Sequence, residues 1–246
     1  KQLSRVNEII AISDYVKKEI IKIYNIKPEK ITVINRGIDT NFFDSTNYNE
    51  NLYRNFLKEK KIDTNKKIIL FPGRLTNWKG QLEFLKIIEY FQNDPIIIYF
   101  AGDNKNSSYF KRLKNEIKIK NIDEKCMFLG NLSKEELKIM YLLSDLVISA
   151  PLKPEGFGRI ISEALAMKKI VLAYNFGGAQ DQLNNLDDLL KIKPYDEVEM
   201  INKIKIVLNL EKNHKKDMLD KFRDHVINNF SKERMLNSYL NFYQGL

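Results

Sequence analysis

Cysteine and histidine are nearly absent from this chain. Cys126 is the single cysteine in 246 residues, which excludes an intrachain disulfide and argues against a zinc cluster. It lies in the apolar run K-C-M-F-L-G, where its expected role is core packing. The two histidines, His214 and His225, fall in C-terminal helical patterns far from any glycine turn. They form no triad and no metal site, and both read as structural or surface residues. No run of about 18 apolar residues is available to span a bilayer, and no charged, apolar, small-residue leader is visible, so a soluble protein is expected. There is no internal repeat and no Pro/Ser linker.

Arginine is scarce in a different way. The formal charge is +9, but 33 of the 41 basic residues are lysine and only 8 are arginine, spread along the whole chain. No helix-turn-helix signature, zinc spacing or interleaved basic and aromatic motif accompanies that charge, so no nucleic-acid partner is expected. A weak, salt-dependent attraction to anionic lipid headgroups remains open. Against this background the placement of Arg36, Arg74 and Arg159 is informative, because each sits beside a glycine where an apolar run ends. They either decorate loops or bring several strand ends to one anionic ligand, as at the carboxyl edge of a parallel sheet.

What the chain does have is a regular alternation of apolar strand-like runs and helical patterns. Strands are expected over Arg5–Ile12, Ile31–Ile34, Lys67–Phe71, Ile96–Ala101, around Cys126, over Asp145–Ala150, Ile170–Ala173 and Leu189–Ile192. Helices are expected between most of them, one opened by a capping box at Ser133-Lys134-Glu135-Glu136, and three helical segments close the chain. The fold class implied is α/β, a Rossmann-like doubly wound parallel sheet with helices on both faces. The chain begins at Lys1 without a methionine, and its first strand and helix precede what reads as a domain crossover. An amino-terminal half is therefore expected to be missing, with residues 1–30 its end and crossover, 31–228 a Rossmann-like domain and 229–246 a C-terminal helix.

The segment P-E-G-F-G-R-I-I-S-E-A, from Pro154 to Ala164, carries the chemistry. It places Glu155 at a strand's carboxyl end and Glu163 a little over two turns into the following helix. Gly156 and Gly158 remove side chains where amides of the first helical turn would approach a ligand, and such a terminus suits phosphate. Carboxylates suit hydroxyls and amides suit phosphate, and a molecule carrying both is a nucleotide sugar. The plainer alternative is ordinary α/β grammar, with Glu155 partnering the helix dipole and Glu163 solvated.

Several motifs in order resemble the carboxyl-terminal, donor-binding half of a retaining GT-B glycosyltransferase of group 1, glycosyltransferase family 4. A-I-S-D-Y-V-K resembles the family's last amino-domain strand and helix, V-I-N-R-G-I-D-T-N-F-F its entry to the donor domain, P-G-R-L-T-N-W-K-G the phosphate-contacting loop, and F-L-G-N-L the base-contacting strand end. E-G-F-G-R-I-I-S-E resembles the E-x7-E signature, and F-G-G-A-Q-D the turn that follows it. The resemblance implies that Arg74 and Lys79, beside Gly73, grip the diphosphate leaving group and that Glu155 contacts donor-sugar hydroxyls. It implies that Gly156, Phe157 and Gly158 shape the sugar pocket, with packing beneath the helix the alternative for Phe157. The backbone of Arg159 and Ile160 would face the distal phosphate, Glu163 would accept from the ribose, and backbone at Asn131 and Leu132 would read the base.

A front-face transfer with retention is implied, with the two glutamates too far apart for double displacement. No Asp-x-Asp clamp is present, so no metal and no cofactor are expected beyond a UDP-sugar or GDP-sugar donor. The implied acceptor is an envelope glycan, lipopolysaccharide or lipid-linked glycan, at a cytoplasmic location with peripheral contact at the inner membrane face. Departures from the family pattern are the missing glycine after the signature helix (Ala166-Met167-Lys168-Lys169-Ile170), Arg159 at a commonly aliphatic position, and Asp181 where glutamate is frequent. Two alternatives are a nucleotide-sugar-binding module without turnover and a nicotinamide-dependent oxidoreductase, the latter resting on Gly156-x-Gly158 and Asp181.

Overall fold

Strands buried on both faces read as unbroken apolar runs, and here they form one six-stranded sheet, all parallel, in the order β5-β4-β3-β6-β7-β8. The computed structural model describes residues 6–103 and 107–245, with the side chains of 212–214 left aside. Arg5 and the His214 side chain lie outside that description. The strands are β1 (Ile9–Ala11), β2 (Ile31–Val33), β3 (Lys67–Pro72), β4 (Ile96–Ala101), β5 (Cys126–Gly130), β6 (Leu146–Ser149), β7 (Val171–Tyr174) and β8 (Lys191–Ile192). Every residue of β4, β6 and β7 is buried, which requires cover on both sides of the sheet.

The helices are α1 (Asp14–Tyr24), α2 (Glu50–Glu59), α3 (Gln81–Tyr90), α4 (Ser108–Ile119), α5 (Lys134–Leu143), α6 (Arg159–Ala166), α7 (Gly178–Leu183), α8 (Glu197–Asn209), α9 (Lys212–Phe230) and α10 (Lys232–Gln244); the cover comes from those from α2 to α9, whereas α1 packs on β1, β2 and α7, and α10 on α9. Helix α3 packs on α4 and α8, whereas α2 packs on α5 and α6 on α9. The doubly wound class expected from the alternation is the one observed. Fully buried Tyr99, Phe71, Phe84 and Phe100 fill the centre, each of the phenylalanines contributing about 1.5–3 kcal/mol. Cys126 is buried, and burial pushes its thiol up to about 12.

Strands β1 and β2 pair with each other in parallel, Ile9 to Ile31 and Ala11 to Val33, apart from the large sheet. A boundary at residue 30 therefore separates two paired strands. Strand β1 is shorter than expected, because Ser13 accepts from the Val16 N–H and opens α1 directly after Ala11-Ile12. The capping box is formed as expected, Ser133 accepting from the Glu136 N–H and Glu136 accepting from the Ser133 N–H. Among the described residues no helix is long and apolar enough to cross a membrane.

Candidate functional site

The sheet order reverses between β3 and β6, and connections leaving those two strands run to opposite sides, which opens a crevice at their carboxyl ends. A cleft of about 360 Å3 lies there. Its walls come from four strand ends: Gly73 and Arg74 after β3, Gly102 and Asp103 after β4, Asn131 and Leu132 after β5, and Arg159, Ile160 and Glu163 on α6 after β6. Seven of the expected site residues thus share one wall-to-wall space. Lys134, the first residue of α5, also lines it and was not foreseen. A larger cleft of about 770 Å3 between α4 and β5 contains none of them.

Glu163 sits deep in the cleft and is only 6% exposed. It is the fifth residue of α6, a little over one turn in rather than two, because Pro154–Gly158 is a loop and the helix starts at Arg159. Both its oxygens are engaged. Arg159 Nη2 lies 2.9 Å from Oε1, and the buried Tyr141 hydroxyl donates to Oε2 at 3.1 Å. Burial raises the Glu163 carboxyl above its ordinary range, with Arg159, Tyr141 and Lys134 opposing. Burial and the Glu163 charge together raise the Tyr141 phenol, so it remains a donor. Arg159 is therefore not idle in solvent: it neutralises Glu163 one helical turn away.

Glu155 and Lys79 form the second cluster, with Lys79 Nζ 2.7 Å from Glu155 Oε1. The loop carrying Lys79 is fixed against the loop carrying Glu155. The Leu152 N–H donates to the Trp78 carbonyl at 2.7 Å, and Gly80, at φ 82°, comes so close to Ala150 that a Cβ would meet its carbonyl oxygen at 2.0 Å. Gly158 caps α6 with φ 83°, a conformation that strains any side chain. The buried Gln182 locks this turn. Its amide donates to the carbonyls of Phe157, Gly158 and Gly178 and accepts from the Ser162 N–H and hydroxyl. Nothing in the sequence marks Gln182, whose partners are main-chain groups apart from the Ser162 hydroxyl.

The expectation for Gly156 needs correction, and of the two alternatives for Phe157 the structure shows packing. Gly156 does not leave room for a ligand: a Cβ there would lie 3.2 Å from Ile12 and 3.3 Å from Val16, so its missing side chain admits the strand and helix of the amino-terminal segment. Phe157 is 3% exposed and its ring lies 5.7 Å from that of Phe230, which is packing beneath α6. The cavity that Glu155, Phe157 and Gly158 line beneath the loop measures about 10 Å3, room for about one water, so a sugar at Glu155 would lie on its Lys79 side and not in this cavity.

Outside the cleft, Arg36 is exposed on the connection after β2, so two of the three glycine-flanked arginines converge and not the third. Asp181 accepts from the Asp14 N–H at 2.6 Å and so tethers α7 to the start of α1. That placement removes its role as the acidic partner of a dinucleotide. His225 Nε2 lies 2.9 Å from the Gln182 carbonyl, and burial lowers its basicity.

A crevice at the reversal of a doubly wound parallel sheet defines a fold class, and comparison with known proteins gives the family. The sequence matches Glycosyl transferases group 1 over residues 53–225 and Glycosyltransferase Family 4 over residues 1–42. The chain belongs to the group 1 glycosyltransferase family. An uncharacterized glycosyltransferase of Methanocaldococcus jannaschii is 31% identical over 180 residues, 71% of this chain and 44% of that protein. The lipopolysaccharide 1,2-N-acetylglucosaminetransferase of Salmonella typhimurium is 24% identical over 214 residues, 84% of this chain and 56% of that protein. The chain spans about half the length of these curated relatives. A crystal structure of a Rickettsia africae glycosyltransferase superposes with a TM-score of 0.90 at 31% identity, covering 97% of this chain and 63% of that one. Anabaena HepE, solved with UDP and glucose, has the same fold at 22% identity and a TM-score of 0.84, over 98% of this chain and 64% of that one.

Proposed function

We propose that this chain is the donor-binding half of a retaining glycosyltransferase that moves a sugar from a nucleotide diphosphate to an envelope glycan or lipopolysaccharide acceptor. The observation that carries the reading is the convergence of Gly73, Arg74, Asn131, Leu132, Arg159, Ile160 and Glu163 on one cleft, next to the Lys79–Glu155 pair. In this reading residues 1–30 end an amino-terminal domain, 31–228 hold the donor, and the segment from 229 carries the closing helix α10. The base lies against the backbone of Asn131 and Leu132, and the ribose hydroxyls donate to Glu163. Arg74, Lys79 and the amides at the start of α6 take the diphosphate and spread the leaving group's charge without a metal. Glu155 orients the sugar, and the acceptor attacks from the face the diphosphate leaves, which accounts for retention.

The lipopolysaccharide and O-antigen enzymes among the relatives support the acceptor class, and neighbours solved with UDP or UDP-glucose support the donor class. The work would be done at the cytoplasmic face of a membrane, with no cofactor. A thermal-shift screen of UDP-glucose, UDP-N-acetylglucosamine, GDP-mannose and NAD tests it. Stabilisation by a nucleotide sugar and not by NAD is expected, and stabilisation by NAD alone contradicts it.

A further inference from the structure

Lys79 and Glu155 are 76 residues apart in sequence yet meet at 2.7 Å, with their side chains only 12% and 18% exposed. The Lys79 stem runs past Gly73, whose absent Cβ would lie 3.6 Å from its Cδ and Cε, and its ammonium stands 4.6 Å from the centre of the Trp78 ring. The docking of Trp78 and Gly80 on Ala150 and Leu152 fixes this approach. We infer that the pair selects the sugar-bearing donor over the free nucleoside diphosphate, an inference that rests on the donor-binding reading above. It joins the residue assigned to the diphosphate to the residue assigned to the sugar, so neither end of the donor is engaged without disturbing the other.

A ligand that draws Lys79 onto its phosphates leaves Glu155 mostly buried without its cation, which is costly. A nucleotide sugar compensates, because its hydroxyls donate to the released carboxylate. A free diphosphate offers no such donors and adds negative charge beside it. After transfer the sugar's hydroxyls are gone, Glu155 retakes Lys79, and the spent nucleotide loses its grip. The ion pair thus favours both loading of donor and discharge of product.

Calorimetric titration of UDP and GDP into the chain and into its Glu155→Gln, Lys79→Met and doubly substituted variants tests this. Glutamine keeps the shape of glutamate but frees Lys79, so E155Q binds the diphosphate about tenfold tighter, about 1.4 kcal/mol. With Lys79 replaced, the same change has less than about a twofold effect. Glu155→Asp, which withdraws the charge by one methylene, gives a smaller gain in the same direction and serves where E155Q melts early. Unchanged or weaker binding in E155Q or E155D overturns the inference. So does an equal gain in the K79M background, which would be bulk electrostatics. Failure of both the folded unmodified chain and folded E155Q to bind either diphosphate contradicts the donor-binding reading instead.

Discussion

Glu163 holds both of its neighbours at once, Arg159 on one oxygen and Tyr141 on the other, and each oxygen keeps a lone pair for a ligand hydroxyl. Glu163→Gln therefore weakens a free nucleotide and its sugar conjugate alike, by about 1.5–3 kcal/mol for a lost charge-assisted hydrogen bond. Folding survives, since Tyr141 still finds an acceptor and the Arg159 side chain is 53% exposed; calorimetry with a melting control checks it. Because burial raises the Glu163 carboxyl, affinity in the unmodified chain declines on acidification from a higher pH than an ordinary carboxylate near 4.5 would give, and E163Q lacks that limb. His225 acts on stability. Its folded pKa is depressed by burial, so the native state holds fewer protons and the contribution is full above an unfolded value of about 6.5 and lost as pH falls through the folded one. The fall in Tm between pH 7.5 and 5.5 is smaller in His225→Gln than in the unmodified chain. At this scale the residue types were legible and their partners were not. A glutamate's place after a strand can be read locally, whereas Lys79 and Tyr141 reach their glutamates across the fold.

Strand and helix order was legible because buried parallel strands are continuous apolar runs bounded by glycine and polar residues. The order of strands within the sheet, and so the crevice, was not, because pairing across crossovers leaves no local mark. Helix ends show the same divide. The Ser133 cap is written in its own four residues, but the end of α6 is not, since the glycine expected there is absent. Lys168 takes the left-handed position instead, at φ 55°, with Lys168 N–H donating to Leu165 and Lys169 N–H to Ala164, the paired bonds of a Schellman motif. Lys168 also pairs with Asp220, a partly exposed contact worth little. With Asp220 first changed to asparagine, Lys168→Gly raises stability by about 1 kcal/mol through relief of left-handed strain. Denaturant unfolding measures this, and a loss of stability would show that the lysine is not strained.

As a whole molecule, the chain couples the cleft to a two-stranded segment through Asp181 of α7, which accepts from the first N–H of α1, and through Gly156 against Ile12 and Val16. These contacts place the Lys79–Glu155 end of the cleft beside the segment that matches Glycosyltransferase Family 4. On this account the chain alone binds nucleotide but transfers little sugar, and Arg74 and Lys79 make binding independent of divalent metal. The most direct measurement is calorimetric titration of UDP and of GDP into the folded chain in excess EDTA. Saturable one-to-one binding of at least one, weakened in E163Q, is the predicted result; no binding of either, or binding that E163Q leaves unchanged, would contradict the account.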